Sequence, residues 1–332
     1  MRNILCVTLI ALLGGCTSTS VTEKYQDKRN DIINVKDKVI EFETGNVLIG
    51  SVSRLYMSNK CLLIADHKSV DKQIHIFNKN DFSYLTSIGN FGEGPEEITV
   101  MGCLAIDEAH HQLYVSDHAK QKIFSYDMDS VMVDSLYKPQ VKTAMNETLF
   151  PSEYQYINDT LSIAVLIKPT STSTFNQFLG RWNMNTGEMI PMKYTHPDIQ
   201  KKRITFAASE KAGIYVECYT RHDLMTICSL DGELLYNIYD PDWDGGNGNK
   251  LQSFGTVMIG NDKIFVSYCG EDYARDSFPT KILVFDLEGN YLKTLETGYK
   301  ISDCCYDSFN NRIILSLNDV VQFAYLDIDG II

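Results

Sequence analysis

The chain is poor in positive charge and lacks any long apolar run beyond its first residues. It has 30 Lys and Arg residues against 43 Asp and Glu residues, which gives a formal net charge of −13. Proteins that bind nucleic acid gain most of their affinity from cations that neutralise phosphates, so we expect no nucleic-acid partner. No segment after Leu13 approaches the roughly 20 apolar residues that a membrane-spanning helix needs.

Catalytic motifs are missing as well. The sequence contains no G-x-S-x-G nucleophile elbow, no H-E-x-x-H zinc motif and no phosphate-binding P-loop. Catalysis is therefore the less favoured interpretation of the function.

The first sixteen residues have the pattern of an export signal. Arg2 precedes an apolar run at residues 4–13, and Leu13-Gly14-Gly15-Cys16 follows. A basic start, a short apolar core and small residues before a cleavage point are typical of a secretory signal. The Leu-Gly-Gly-Cys ending resembles the lipobox of bacterial lipoproteins, whose cysteine is acylated and becomes the first residue of the mature chain. Two alternatives are an ordinary signal peptide with a chance cysteine and a buried apolar strand.

An acylated Cys16 would make the membrane the first partner of the chain, because its acyl chains supply the affinity for lipid. After Cys16 the sequence is rich in Ser and Thr and then polar to about residue 37, without apolar periodicity. We therefore predict a signal peptide at residues 1–15, a lipidated N-terminus and flexible tether at 16–37, and a folded domain at 38–332.

Seven of the nine cysteines follow Cys16, and an odd number in an exported chain leaves at least one thiol unpaired. The sequence has no C-x-x-C pair and no Cys/His cluster typical of zinc. Five of the seven lie inside apolar runs that resemble strands, namely Cys61, Cys103, Cys218, Cys228 and Cys269. We expect buried free thiols that pack as small hydrophobic residues.

Internal repeats give the fold. Residues 62–67 (LLIADH) precede a second strand pattern at 73–78 (QIHIFN), and residues 113–118 (LYVSDH) precede a similar one at 121–127. Weaker strand pairs follow along the chain, at 161–167 and 175–182, 214–219 and 224–229, 264–268 and 282–286, and 313–317 and 320–326. Asp231-Gly232, Glu288-Gly289 and Asp329-Gly330 are typical hairpin turns, because glycine adopts positive φ without steric cost.

Six strand pairs at a period of about 50 residues or slightly less favour an all-β fold, a six-bladed β-propeller of four-stranded blades. The helical periodicity that a βα fold needs between its strands is not found. The last repeat ends at Ile332 after its third strand, whereas Val39-Ile40-Glu41-Phe42 forms a strand pattern without a partner upstream. Pairing the two would close the ring through the N-terminal strand and cover an exposed sheet edge.

Two segments resemble a known family. Residues 113–127 resemble the core of an NHL repeat, and residues 88–107, which include Gly92-Glu93-Gly94-Pro95, resemble the junction between blades of such propellers. The pattern over about residues 38–332 resembles the 6-bladed TolB-like or NHL-like propeller lipoproteins of Bacteroidetes. This resemblance implies a propeller fold and a cell-envelope location, but no uniform activity. Surface-exported lipoproteins of Bacteroidetes tend to carry acidic residues after the cysteine, and residues 17–22 carry none, which favours the periplasmic face.

In propellers of this type, the loops between the second and third strands and the junctions between blades open on one face around the channel. Applied to this sequence, that scheme predicts a polar binding face. Its candidate residues are His67, Glu93, His118, Lys168, Arg221, His222, Glu271, Asp272 and Arg275.

This face contains two candidate metal sites. His67, His118 and His222 could ligate a metal ion at the channel mouth, as histidines do in propeller lyases. No histidine occupies the equivalent place in every blade, however. We therefore interpret these histidines as turn residues and not as metal ligands, and we expect Asp66 and Asp117 to cap the turns.

Asp240, Asp242 and Asp244 begin like a D-x-D-x-D-G calcium loop. Leu251 supplies no oxygen at the twelfth position, so we expect a hydrated loop that is at most a weak calcium site. We expect no cofactor elsewhere in the chain.

The favoured function is a membrane-anchored envelope lipoprotein whose non-catalytic propeller binds a peptide, glycan or protein partner or serves as a scaffold. The alternative is a metal-assisted lyase or hydrolase with its site at the channel mouth.

Overall fold

The computed structural model describes residues 22–134, 136–199, 202–243, 245, 251–275 and 277–332. Within this part of the chain, no helix is both long and apolar enough to cross a membrane. The α-helix α1 (Met128–Val133) and two 3-10 turns, Lys36–Lys38 and Tyr273–Arg275, interrupt a structure built of strands. Three short strands lie upstream of the first blade: β1 (Glu23–Tyr25), β2 (Ile32–Asn34) and β3 (Val39–Glu41).

The next twelve strands form three antiparallel sheets in sequence order. Blade 1 consists of β4 (Ser53–Met57), β5 (Cys61–Asp66), β6 (Lys72–Asn78) and β7 (Tyr84–Asn90). Blade 2 consists of β8 (Met101–Asp107), β9 (Gln112–Asp117), β10 (Lys122–Asp127) and β11 (Gln140–Ala144), with α1 between the last two. Blade 3 consists of β12 (Phe150–Asn158), β13 (Leu161–Pro169), β14 (Phe175–Trp182) and β15 (Met189–Pro191).

The remaining strands continue the same pattern. Blade 4 consists of β16 (Ile204–Ser209), β17 (Ile214–Tyr219), β18 (Leu224–Ser229) and β19 (Leu234–Tyr239). Blade 5 consists of β20 (Leu251–Gly260), β21 (Lys263–Asp272), β22 (Lys281–Asp286) and β23 (Tyr291–Glu296). Blade 6 consists of β24 (Ile301–Asp307), β25 (Arg312–Leu317) and β26 (Phe323–Asp327), and its fourth strand is β3. The all-β, six-bladed propeller predicted from the repeats is confirmed.

The ring closes through the N-terminal strand. β3 pairs antiparallel with β26, so that Ala324 lies opposite Glu41 and Leu326 opposite Val39. Phe42 follows directly and stacks on Phe82 of blade 1 with ring centroids 3.9 Å apart. The closing strand thus supplies the missing edge of blade 6 and also packs against blade 1.

The predicted tether at residues 16–37 is wrong for the residues that the structure describes, which begin at Thr22. β1 pairs in parallel with β19 as a fifth strand of blade 4, and β2 pairs in parallel with β23 as a fifth strand of blade 5. We call residues 22–38 the N-terminal belt, because they run along the outer edges of blades 4 and 5 and lead into the closing strand. Its strands are only three residues long, too short for an apolar alternation to be recognised in the sequence.

Six apolar clusters hold the described blades together, one at each blade-to-blade interface. They are filled by side chains from the middle strands, such as Leu63, Val115, Val216 and Ile313, each of which is fully buried. The seven described cysteines are free and buried, as the sequence predicts. Burial raises the pKa of the Cys103 thiol to about 12, so this thiol is protonated at neutral pH.

Candidate functional site

The first strands of all six blades line a central channel that encloses about 390 Å³. Because the strands of a blade alternate in direction, the loops between second and third strands lie at the same end as the junctions between blades. We call this end the upper face, and the opposite end, with the turns between first and second strands, the lower face. Hydrophobic side chains such as Met57, Ile157 and Ile259 line the lower part of the channel, whereas charged and hydroxyl groups line the upper part.

Hydrogen bonds join the first strands around the upper part of the channel. The Asp303 carboxylate of blade 6 accepts from the backbone N–H of Leu55 in blade 1 at 2.8 Å and from the Thr256 hydroxyl in blade 5 at 2.7 Å. The Thr205 hydroxyl of blade 4 donates to the Gly255 carbonyl in blade 5 at 2.6 Å. Each bond links neighbouring blades and therefore fixes the shape of the mouth.

One ion pair spans two interfaces. Arg54 of blade 1 reaches past blade 2 and donates to the Glu153 carboxylate of blade 3 at 2.8 Å. Both side chains are partly exposed, at 45% and 37%. Burial alone would lower the pKa of Arg54, but the neighbouring Glu153 carboxylate raises it above its ordinary value. The mouth therefore presents one cation and one anion side by side to solvent.

Glycine in blade 2 leaves room for His118 at the position that corresponds to Arg54 in blade 1. Met101 pairs with Asp117 in blade 2, and Ser53 pairs with Asp66 in blade 1. Gly102, which follows Met101, therefore corresponds to Arg54, which follows Ser53. A Cβ atom at Gly102 would lie 2.3 Å from Ser116 Oγ and 2.4 Å from His118 Nε2, distances that packed atoms do not tolerate. The side-chain-free position therefore allows the His118 imidazole to pack against the inner strand.

His67 and His118 are half-buried beside the mouth. Within the described residues, the Nε2 atom of each is buried and has no hydrogen-bond partner. Burial lowers the pKa of both imidazoles, and the charge of Arg54 adds to this effect at His67. Both side chains are thus neutral at neutral pH. Their unsatisfied Nε2 atoms are closed to solvent, so the two imidazoles pack beside the mouth and do not offer it an accessible hydrogen-bonding atom.

Asp66 and Asp117 cap the turns after the second strands, as predicted. Asp66 accepts from the backbone N–H of Lys68 at 2.9 Å and of Gly50 at 2.7 Å. Asp117 accepts from the N–H of Ala119 at 3.0 Å and of Thr99 at 2.8 Å. Each carboxylate therefore binds both its own turn and the junction that precedes its blade, which places the following histidine.

Most other candidate residues form a second group on blades 4 and 5. The Arg221 guanidinium lies over the Tyr273 ring, 2.9 Å from its centroid. His222 is buried and packs edge-on against Trp243, with ring centroids 6.3 Å apart. Arg275 donates to the exposed Glu271 carboxylate at 2.9 Å. These contacts are local, and they leave this group outside the lining of the channel.

Three of the candidate residues have no role in either group. Asp272 accepts from the N–H of Ala274 at 2.9 Å, which caps the 3-10 turn. Lys168 and Glu93 are exposed, and Glu93 lies in the junction between blades 1 and 2. In that junction Glu97 accepts from the N–H of Gly94 at 2.8 Å. The sequence motif that resembles a family junction thus forms a hydrogen-bonded loop.

The described residues do not bring His67, His118 and His222 together as metal ligands. The one group of three potential ligands in this part of the chain is Asp107, His110 and Asp159, on the lower face. Asp240 Oδ1 accepts from the backbone N–H of Asp242 at 3.1 Å. Asp244 of the calcium pattern, like Cys16 and the signal at residues 1–15, lies outside the described residues.

Sequence reasoning missed the residues that face the channel itself: Arg54, Glu153 and Asp303. A signal was available, because each interrupts the apolar alternation of a first strand at the end nearer the preceding junction. A charged residue on an otherwise buried strand needs a partner or access to water. Three such strands in a closed ring indicate a shared polar cavity.

Comparisons with known proteins agree with this architecture. The family model described as DUF5128, a 6-bladed beta-propeller, matches residues 17–228. No curated protein matches the sequence at a significant level.

Solved structures share the fold. A Bacteroides fragilis protein that is named as exported has 14% identity and a TM-score of 0.56, over 89% of this chain and 87% of its own. A member of the DUF4221 family from Bacteroides vulgatus has 11% identity and a TM-score of 0.57, over 90% and 98%. The β-propeller domain of Cps50 (Swd1) from Myceliophteria thermophila has 9% identity and a TM-score of 0.55, over 87% and 99%. At these identities the similarity concerns the fold alone.

Proposed function

Because the chain belongs to the DUF5128 family of 6-bladed β-propellers, we propose that it is an exported envelope lipoprotein whose propeller binds a polar ligand at the upper mouth of its channel. Export is supported by the signal pattern that ends at Cys16 and by the similar Bacteroides fragilis protein that is named as exported. Acylation of Cys16 would hold the propeller at the periplasmic face of a membrane through the segment that precedes the belt.

The observation that carries the binding proposal is the charge pair at the mouth. Arg54 and Glu153 come from different blades, contact each other at 2.8 Å and keep about two fifths of their side chains exposed. Structural ion pairs in the interior of the protein are more deeply buried, as in Lys202 and Glu217 with 6% and 2% exposure. An exposed pair inside a concave polar channel is typical of a site that binds a ligand with both donors and acceptors.

The chemistry of the lining favours a peptide or glycan segment. One cation beside one anion offers no excess positive charge for a phosphate, and the net charge of −13 opposes polyanions. The Gln155 side chain and the hydroxyls of Thr205 and Thr256 add neutral hydrogen-bonding groups to the lining. A cavity of about 390 Å³ is within the size range of ordinary ligand sites.

The test is retention of the purified protein on arrays of short peptides and of glycans. The variant Arg54→Ala/Glu153→Ala removes both charges, so that neither remains unpaired. The control Glu271→Ala/Arg275→Ala removes a similar exposed pair at the rim. We expect the wild type and the control to bind the same set of probes and the channel variant to lose it. Equal binding by all three proteins, or no binding by the wild type, would contradict the proposal.

A further inference from the structure

A second cluster of chemistry-bearing side chains lies on the lower face, far from the upper mouth along the strands. Asp107 is the last residue of β8, His110 lies in the turn that follows, and Asp159 lies in the corresponding turn of blade 3. One ligand atom from each lies within 4.8 Å of the others. Asp107 is buried, whereas the side chains of His110 and Asp159 are 57% and 62% exposed. The cluster is thus open to solvent and joins two blades.

The separations suit a small divalent ion. His110 Nδ1 lies 2.8 Å from Asp107 Oδ2 and 3.9 Å from Asp159 Oδ1. Ligands about 2.0–2.2 Å from a tetrahedral zinc ion are about 3.3 Å apart, midway between these two distances. The Asp107 and Asp159 ligand atoms also lie within 4.8 Å of each other, and rotation of the two exposed side chains, His110 and Asp159, would adjust these separations without moving the backbone.

Blade 6 has the same turn with a different charge balance. Asp307 ends β24 as Asp107 ends β8, and its Oδ2 accepts from Asn310 Nδ2 at 2.7 Å and from Arg312 Nε at 3.3 Å. The Lys79 ammonium lies 3.3 Å from its Oδ1. Two permanent cations, Lys79 and Arg312, therefore neutralise Asp307.

In blade 2 the positions of Asn310 and Arg312 are taken by His110 and Gln112. Among the described residues, His110 is the only group that forms an ion pair with Asp107, and it is shared with Asp159. Two carboxylates thus depend on one imidazole, which is charged only when protonated. The turn itself does not require a histidine at this position, because the backbone N–H of Asn310 makes the equivalent hydrogen bond to Asp307 in blade 6.

Neighbouring hydroxyl groups fix the two carboxylates. The Tyr114 hydroxyl donates to Asp107 Oδ2 at 3.1 Å, and the Tyr156 hydroxyl donates to Asp159 Oδ1 at 2.7 Å. Such outer hydrogen bonds orient metal ligands in known sites. Lys142 opposes the binding of a cation at this cluster, because its positive charge acts on His110.

We propose that Asp107, His110 and Asp159 bind a divalent first-row transition metal ion, with Zn²⁺ as the expected probe, and so join blades 2 and 3. One imidazole and two carboxylates match the ligand preferences of such ions, whereas Ca²⁺ prefers six to eight oxygen atoms. This site is separate from the channel mouth, and its test does not depend on the ligand proposed there.

The test is isothermal titration of the purified protein with ZnCl₂ and, separately, with CaCl₂. We expect one Zn²⁺ per chain and no comparable Ca²⁺ binding. His110→Ala and Asp159→Asn should each weaken Zn²⁺ binding at least about tenfold, since even outer-shell changes cost that much. Lys142→Ala should strengthen it, because a repelling charge is removed.

His111→Ala is the matched control, since His111 is the adjacent exposed histidine and pairs instead with Asp129 at 2.7 Å. It should leave Zn²⁺ affinity unchanged. All three substituted side chains of the ligand and control variants are exposed by about half or more, so the variants are expected to fold. Absence of Zn²⁺ binding, a preference for Ca²⁺, or an equal loss in His111→Ala would overturn the proposal.

Discussion

Arg29 of the N-terminal belt binds Asp223 of blade 4 with two parallel hydrogen bonds of 2.8 Å each. The pair is nearly buried, with 11% and 3% of the side chains exposed. The Tyr268 hydroxyl of blade 5 donates to the same carboxylate at 2.6 Å. Burial would lower the pKa of Arg29, but Asp223 raises it above the ordinary value. One carboxylate thus joins the belt and two blades.

Replacement of Arg29 by Ala should destabilise the whole propeller. The change leaves the Asp223 carboxylate buried without its cation, which costs about 3–5 kcal/mol for buried pairs. Urea denaturation followed by tryptophan fluorescence would measure the difference in the free energy of unfolding. Lys28→Ala is the control, because Lys28 is the exposed neighbour in the same segment. Similar stabilities of the two variants would show that the pairing of Arg29 with Asp223 does not stabilise the propeller.

The belt could not be predicted from the sequence for a physical reason. Its strands are held by backbone pairing with blades far away along the chain, such as Glu23 opposite Asn237. The main fixed points are polar, including Arg29, and polar side chains in a segment rich in charged residues resemble those of a solvated linker. Only the ion-pair partner of Arg29, Asp223, distinguishes a packed segment from a solvated linker, and the position of Asp223 becomes known only with the fold.

Phe42→Ala should weaken ring closure. Phe42 is buried at the end of the closing strand, between Phe82 of blade 1 and Phe323 of blade 6. Loss of a buried phenylalanine costs about 3–5 kcal/mol. Ile40→Ala in the same strand is the control, since Ile40 is 48% exposed. Differential scanning calorimetry should show a large decrease in melting temperature for Phe42→Ala alone, and equal decreases would contradict this account of closure.

The closing strand was predictable where the belt was not. Val39 to Phe42 has the apolar residues of a short strand, and the last repeat lacks one strand, so the two incomplete patterns complete each other. The upper-face residues were also predicted to share one face, because loop position follows from blade topology. That Arg54 and Glu153 contact each other was not predictable, since they belong to blades 1 and 3 and become neighbours only in the closed ring.

Cys16→Ala should release the protein from the membrane fraction. In the lipoprotein proposal, the acyl chains supply all of the affinity for lipid, and the described residues contain no helix that could span a membrane. Fractionation of cells, a high-salt wash and immunoblotting would measure the release. Ser18→Ala, two residues further along, is the control and should remain with the membranes. Sedimentation of Cys16→Ala with washed membranes would refute the anchor.

The last prediction concerns pH and the Asp240 side chain beside the Arg29 and Asp223 pair. Burial, followed by repulsion from Asp223, raises the pKa of Asp240 from 3.8 to about 6, although Arg29 opposes the shift. The folded state therefore holds this proton more tightly than the unfolded state. The stabilising contribution of this bound proton is complete below about pH 4 and is lost as the pH rises from about 4 to 6.

Asp240→Asn should accordingly leave the free energy of unfolding nearly unchanged at pH 4 and raise it at pH 7.5. The gain should be on the order of 1 kcal/mol, because solvent screens part of the repulsion. Urea denaturation of the wild type and the variant at both pH values would measure it. A gain that is the same at both pH values would mean that Asp240 does not titrate in this range, and that Asp223 is neutralised by Arg29 alone.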